Sequence, residues 1–150
     1  MCGVLANNGR IYCAPYGAAH ILKINTNNGT VEKLNDVELL ETGFGLWKSG
    51  ALASDKNIYY MPCYARQIKL NPYNDSLSCV GDDLARGDHK YSGTVVGNDD
   101  CVHGIPKYAP CIVKFDLTNP DTTSFVGVVL QRKSSCVRMV YWLVMVTSTL

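Results

Sequence analysis

The stretch Pro15-Tyr16-Gly17-Ala18-Ala19-His20-Ile21 decides the fold, because it returns twice along the chain. It reads PCYARQI at residues 62–68 and PKYAPCI at residues 106–112, so Pro-x-x-Ala-x-x-Ile recurs three times without a gap. Internal repetition at a spacing of about 45 residues is the mark of a stacked architecture, in which one small unit cannot bury its apolar faces alone. Around this core the copies keep agreeing. Cys2-Gly3, Ser49-Gly50 and Ser92-Gly93 open them, and Ile11-Tyr12, Ile58-Tyr59 and Val102-His103 precede the shared proline. Lys23, Lys69 and Lys114 follow the shared isoleucine, then Ile24, Leu70 and Phe115, then Asn25, Asn71 and Asp116. Aligning all three takes one extra residue in the first turn of copy three and one fewer after Ile68.

Turn chemistry cuts each copy into short strands. Asn8-Gly9 and Asn28-Gly29 suit two-residue hairpins, whose central positions need positive φ. Copy one therefore reads as strands over Gly3 to Ala6, Arg10 to Pro15, His20 to Asn25 and Thr30 to Leu34. In copy three, Ile112, Lys114 and Asp116 share one face of the third strand, with Val113 and Phe115 on the other. A helix opening at the proline is the competing reading of Pro-x-x-Ala-x-x-Ile. Gly17, the β-branched runs and the flanking hairpin turns weigh against it. Asn35 to Glu41 reads as a linker.

The expectation is an all-β chain of antiparallel four-stranded units, 2–46, 47–90 and 91–127, within one domain spanning 1–150. Residues 128–150 form a non-repeat tail. It reads as a strand or as an out-of-frame continuation of a fourth copy, since the landmarks stop after Gly127. Its apolar run Met139 to Val146 falls well short of the roughly 20 residues of a membrane helix. The phrases Asn8-Gly9-Arg10-Ile11-Tyr12 with Ile21 to Asn25, and Ile58-Tyr59 with Ile68 to Asn71, resemble the blades of kelch-like, quinoprotein-like and gluconolactonase-like β-propellers. That resemblance implies a partial β-propeller of about three blades. Propellers close with about four to eight, so three copies imply a piece of a longer array or self-association that completes it.

Composition excludes several partners. The net charge is +1, and the basic residues are scattered, which offers no field for nucleic acid or an anionic membrane. Seven cysteines at 2, 13, 63, 79, 101, 111 and 136 contain no Cys-x-x-Cys and no disulfide framework. Without a recognisable secretory signal, they read as buried thiols in a reducing, cytoplasmic setting. The sequons Asn28-Gly-Thr30 and Asn74-Asp-Ser76 read as turns.

The repeat also tests for chemistry, because a repeated site should occupy equivalent columns. Cys13 aligns with Tyr60 and Gly104, Cys63 with Tyr16 and Lys107, and Cys111 with His20 and Gln67, so no column holds two thiols. His103 takes the column of Tyr12 and Tyr59, which marks a packed ring, and His89 lies in a polar linker. Asp82-Asp83, Asp88 and Asp99-Asp100 read as solvated turns. Gly43 to Ser49 lacks the glycine that a phosphate loop places before its lysine. No catalytic residue, metal ligand or cofactor is assigned.

What remains is a surface. The loops joining second and third strands carry Tyr16 and His20, Tyr64, Arg66 and Gln67, and Lys107 and Tyr108 on a common frame. Tyr and Arg supply contact area and hydrogen bonding at modest entropic cost. The expected function is a non-enzymatic module that binds a protein or small ligand there. The alternative is a fragment of a calcium-dependent propeller hydrolase or lactonase, with Glu, Asp and Asn side chains from several blades converging on one ion.

Overall fold

The computed structural model describes residues 2–18, 20–34, 45–82, 84 and 90–127. The linker reading of 35–41, His89, Asp83, Asp88 and the tail 128–150 lie outside these. The described residues form strands and no helix: β1 (Gly3–Leu5), β2 (Arg10–Cys13), β3 (Ile21–Asn25), β4 (Val31–Leu34), β5 (Trp47–Leu52), β6 (Ile58–Pro62), β7 (Ile68–Asn71), β8 (Ser76–Cys79), β9 (Tyr91–Val96), β10 (Cys101–Pro106), β11 (Ile112–Asp116) and β12 (Asn119–Val126). Each consecutive group of four makes one antiparallel sheet in sequence order. The architecture is that of three blades of a partial β-propeller. The first strands of successive sheets touch, β1 with β5 and β5 with β9. No helix among the described residues is long and apolar enough to cross a membrane.

The recurring polar landmarks are turn devices. Asn8, Asp55 and Asp99 each accept on Oδ1 the amide two residues on, from Arg10 at 3.1 Å, Asn57 at 3.0 Å and Cys101 at 3.3 Å. The next residue in each copy is left-handed: Gly9 at φ 74°, Lys56 at 67° and Asp100 at 54°. Asn and Asp stabilise such turns by bonding their own backbone. The same side chains reach the ring four residues on. Asn8 Nδ2 donates to Tyr12 Oη at 3.1 Å, Tyr59 Oη donates to Asp55 Oδ2 at 2.8 Å, and His103 Nε2 lies 3.7 Å from Asp99 Oδ2. Asn25, Asn71 and Asp116 repeat the device after the third strand, accepting from the amides of Asn27, Tyr73 and Thr118.

Strand register supports the main columns and moves both gaps. Tyr12 pairs with Lys23, Tyr59 with Lys69 and His103 with Lys114. Gly3, Gly50 and Thr94 stand opposite Cys13, Tyr60 and Gly104, and the first turns close over equal lengths. Copy three thus has no extra residue in its first turn; Gly93 sits one place before the column of Gly3 and Gly50. In copy two the missing residue lies in the loop before the third strand. Ile21 pairs with Leu34 and Ile112 with Val126, while the carbonyl of Gln67 accepts the amide of Val80. Gln67, and not Ile68, therefore occupies the column of Ile21 and Ile112. The proline-to-isoleucine spacing is conserved in number, yet the shorter loop turns Ile68 to the opposite face.

Two faces follow from this register. Tyr12 and Lys23, Tyr59 and Lys69, and His103 and Lys114 look onward along the array. Ile11 and Ile24, Ile58 and Leu70, and Val102 and Phe115 look backward. The onward face of each sheet packs on the backward face of the next. Val4, Tyr12, Ile21 and Leu34 meet Ile58, Tyr60, Ile68 and Leu70 in one core. Tyr59, Met61 and Val80 meet Val102, Val113 and Phe115 in the second. Removing this apolar area from water is the main stabilising contribution, about 25 cal/mol per Å².

A polar lock crosses the first junction. Asn8 Nδ2 donates to the carbonyl of Pro72 at 2.7 Å, and Tyr12 Oη lies 3.0 Å from both that carbonyl and Asp75 Oδ1. The nearly buried Lys23 ammonium stands 2.6 Å from Asp75 and 2.8 Å from Glu32. Those hydrogen bonds push the Lys23 amine above its ordinary range. Tyr60 Oη donates to the carbonyl of Tyr12 at 3.0 Å across the same junction.

Candidate functional site

The loops between second and third strands all emerge at one edge of the sheets, because each sheet has the same strand order. Main-chain hydrogen bonds join these loops to the residue that enters the following sheet. The carbonyl of Tyr16 accepts from Gly45 and from Leu46, and the Leu46 carbonyl accepts from Cys63 at 2.8 Å and Tyr64 at 3.3 Å. The pattern repeats one sheet on. Lys90 donates to Cys63 O at 3.1 Å, and its own carbonyl accepts from Lys107 at 2.9 Å and Ala109 at 3.1 Å. Leu46 and Lys90 are thus equivalent splices, each just ahead of a buried aromatic residue, Trp47 or Tyr91. The result is one continuous rim running from Tyr16 to Ala109.

The seven expected surface residues divide along this rim. Tyr108 is 55% exposed, and the Lys107 ammonium, also exposed, lies 5.0 Å from its ring centroid. Tyr16 is half-buried at the splice to Leu46. Tyr64 packs against Gly45: a Cβ on Gly45 would fall 2.8 Å from its Cδ2, and Gly45 has φ 78°. Arg66 is half-buried and its carbonyl accepts the Trp47 indole N–H at 2.8 Å. The Arg66 Nε and the His20 Nδ1 are buried with no hydrogen-bond partner among the described residues.

Gln67 corrects the surface expectation. It is 1% exposed, in a column that holds isoleucine in the other two copies. Its Nε2 donates to the carbonyl of Asp82, while its Oε1 has no partner among the described residues. The one-residue shortening of its loop rotated it inward. The column of Cys111 and His20 is accordingly shared with Arg66 in place of Gln67.

Burial shifts three of the thiols toward their protonated form. Burial pushes the Cys63 thiol up, against the pull of Lys48 and Lys107, and burial likewise raises Cys13 and Cys101. A nucleophilic thiol needs the opposite shift. No group of three or more His, Cys, Asp or Glu side chains among the described residues is placed to hold a metal ion. The sequence did not mark Leu46 and Lys90 as rim residues, because their contribution is made by backbone atoms. Their position directly before the strand-opening Trp47 and Tyr91 was the available signal.

No protein-family profile and no curated protein sequence matches the chain. Solved structures share its fold. The extracellular domain of a B. thetaiotaomicron protein described as a one component system matches 90% of this chain at 17% identity and a TM-score of 0.58, over 16% of its own length. A luciferin-regenerating enzyme matches 85% of this chain at 10% identity and a TM-score of 0.54, over 45% of its own length. The chain therefore spans less than half of each neighbour, and the likeness concerns the fold.

Proposed function

We propose that the chain is a segment of a β-propeller-like binding module, which takes a protein segment or small ligand on the rim formed by Tyr16, Tyr64, Lys107 and Tyr108. The observation that carries this reading is the splice through Leu46 and Lys90, which ties those loops of all three sheets into one edge. Lys107 over Tyr108 presents a cation beside an aromatic face, which suits ligands bearing carboxylate and aromatic groups. The free thiols Cys2, Cys13, Cys79 and Cys101 support a reducing, cytoplasmic setting.

A thermal-shift survey with simple aromatic carboxylates tests the binding reading. A ligand at 100 times its Kd stabilises by about 2.7 kcal/mol. That gain should vanish in a Lys107→Ala, Tyr108→Ala double variant whose unliganded melting temperature is unchanged. A panel that shifts neither protein removes the reading.

The second reading, a piece of a calcium-dependent hydrolase or lactonase, is favoured by the fold shared with a luciferin-regenerating enzyme. It predicts stabilisation by micromolar calcium, which the binding-module reading does not.

A further inference from the structure

Both splices lead into a β-bulge. Trp47 stands opposite Pro62 and Ser49 opposite Met61, so Lys48 is an extra residue in β5. One sheet on, Tyr91 stands opposite Pro106 and Gly93 opposite Ile105, so Ser92 is the extra residue in β9. A bulge leaves its extra residue outside the ladder and re-aims the side chain. Lys48 and Ser92 therefore occupy equivalent places at the rim end of β5 and β9, first strands that touch each other. The bulge belongs to the splice, since both sheets have it, but nothing in the splice requires a cation there.

A second cation converges on the same place. Cys63 and Lys107 directly follow Pro62 and Pro106, the residues opposite Trp47 and Tyr91. Lys48 and Lys107 both pull the buried Cys63 thiol downward, against the burial that raises it, and no carboxylate among the described residues acts on that thiol. Two ammoniums from different sheets thus lie close to one point of the rim. Neither makes an ion pair among the described residues. Carboxylates gather at the opposite edge of the sheets, where Asp55, Asp75, Asp99, Asp100 and Asp116 stand in the turns. Among the described residues only Asp82 reaches the rim edge, and it follows β8, the strand of the second sheet farthest from β5.

Taking the rim as the binding face, we propose that its ligand carries a phosphate monoester, seated between Lys48 and Lys107 beside the exposed ring of Tyr108. Such a group loses its second proton near pH 6 and is close to doubly charged at neutral pH. It therefore matches two ammoniums, where a carboxylate matches one. Lysine binds phosphate as a point charge and needs no planar fork for it. The Ser92 hydroxyl adds a donor at the equivalent bulge. The ring of Tyr108, 55% exposed, gives the esterified group an apolar face.

Calorimetric titration of the full 150-residue chain with phenyl phosphate and phenyl sulfate, at about pH 8, tests this. The two esters share a ring and a tetrahedral head, but the sulfate carries a single charge. Phenyl phosphate should bind about tenfold more tightly, the contribution of one charge-assisted hydrogen bond. Lys48→Gln should bring the two dissociation constants within about threefold of each other, and Lys48→Arg should keep the preference. Lys107→Gln, at an exposed position, makes the same test if Lys48→Gln lowers the melting temperature. Equal affinity of the wild type for the two esters, or a preference that survives these Gln variants in folded protein, overturns the proposal. Aromatic carboxylates that bind where phenyl phosphate does not also overturn it and leave the rim reading in place. A chain that binds none of these compounds ends both.

Discussion

Replacing Gln67 with methionine should stabilise the protein. Gln67 sits 1% exposed between the second and third sheets, in the column that Ile21 and Ile112 fill elsewhere. Methionine keeps its unbranched shape and removes the Oε1 that has no partner. An orphaned buried acceptor costs about 1–3 kcal/mol, and a hydrogen bond contributes about 0.5–1.5 kcal/mol net. The substitution gives up the bond from Nε2 to the carbonyl of Asp82, but Asp82 is exposed and water can replace that donor. The balance favours the variant by about 1 kcal/mol, which raises the melting temperature of a chain this size by roughly 2–4 °C. Urea unfolding followed by circular dichroism measures it, with the slope m unchanged and the midpoint raised. A loss of more than about 1 kcal/mol would refute the reasoning, because it would show that Oε1 is engaged and that the column is not an apolar one.

Tyr12→Phe removes the hydroxyl shared between Pro72 O and Asp75 Oδ1 while Lys23 still holds Asp75; urea unfolding should show a loss of about 1–2 kcal/mol. Gly50→Ala places a Cβ 2.4 Å from the buried Tyr60 ring and should cost about 1–3 kcal/mol by the same assay. Burial and the bond to Asp55 raise Tyr59 well above its ordinary 10.0, and bonds to Asp75 and Glu32 raise Lys23 above 10.5. The folded state thus holds these protons more tightly than the unfolded chain. Their stabilisation is complete below about pH 10 and is lost as the pH rises further, so urea midpoints should fall in that window and fall less steeply in Tyr59→Phe.

Much of the fold was legible because the repeat writes the same devices three times. Asn8-Gly9 announced a hairpin by its residue types, and the Tyr12, Tyr59 and His103 column emerged from spacing alone. Lys56, Asp75 and Asp100 take the same left-handed conformation as Gly9 and Gly29 without a glycine to announce it. There the preceding Asx residue and the closing strands impose the geometry. Gln67 was misplaced for a different reason. A loop can lose one residue while Pro62 and Ile68 keep their apparent spacing, and a one-residue slip reverses which side chain faces inward. The rim was half legible: Tyr108 and Lys107 lie open as their loop positions implied, whereas Tyr64 and Arg66 are tied down by Gly45 and Trp47, contacts that arise only when one sheet meets the next.

The claim on which the account depends is that the three sheets are spliced into one array through Leu46 and Lys90. Amide hydrogen exchange followed by NMR addresses it directly at Cys63, Lys90 and Lys107, whose N–H groups donate to the neighbouring splice or loop. The account predicts that these three amides are protected to about the same degree as those of β6 and β10, since breaking the splice requires separating the sheets. Exchange at Lys90 and Lys107 near the rate of an unstructured peptide, with the strand amides still protected, would contradict it.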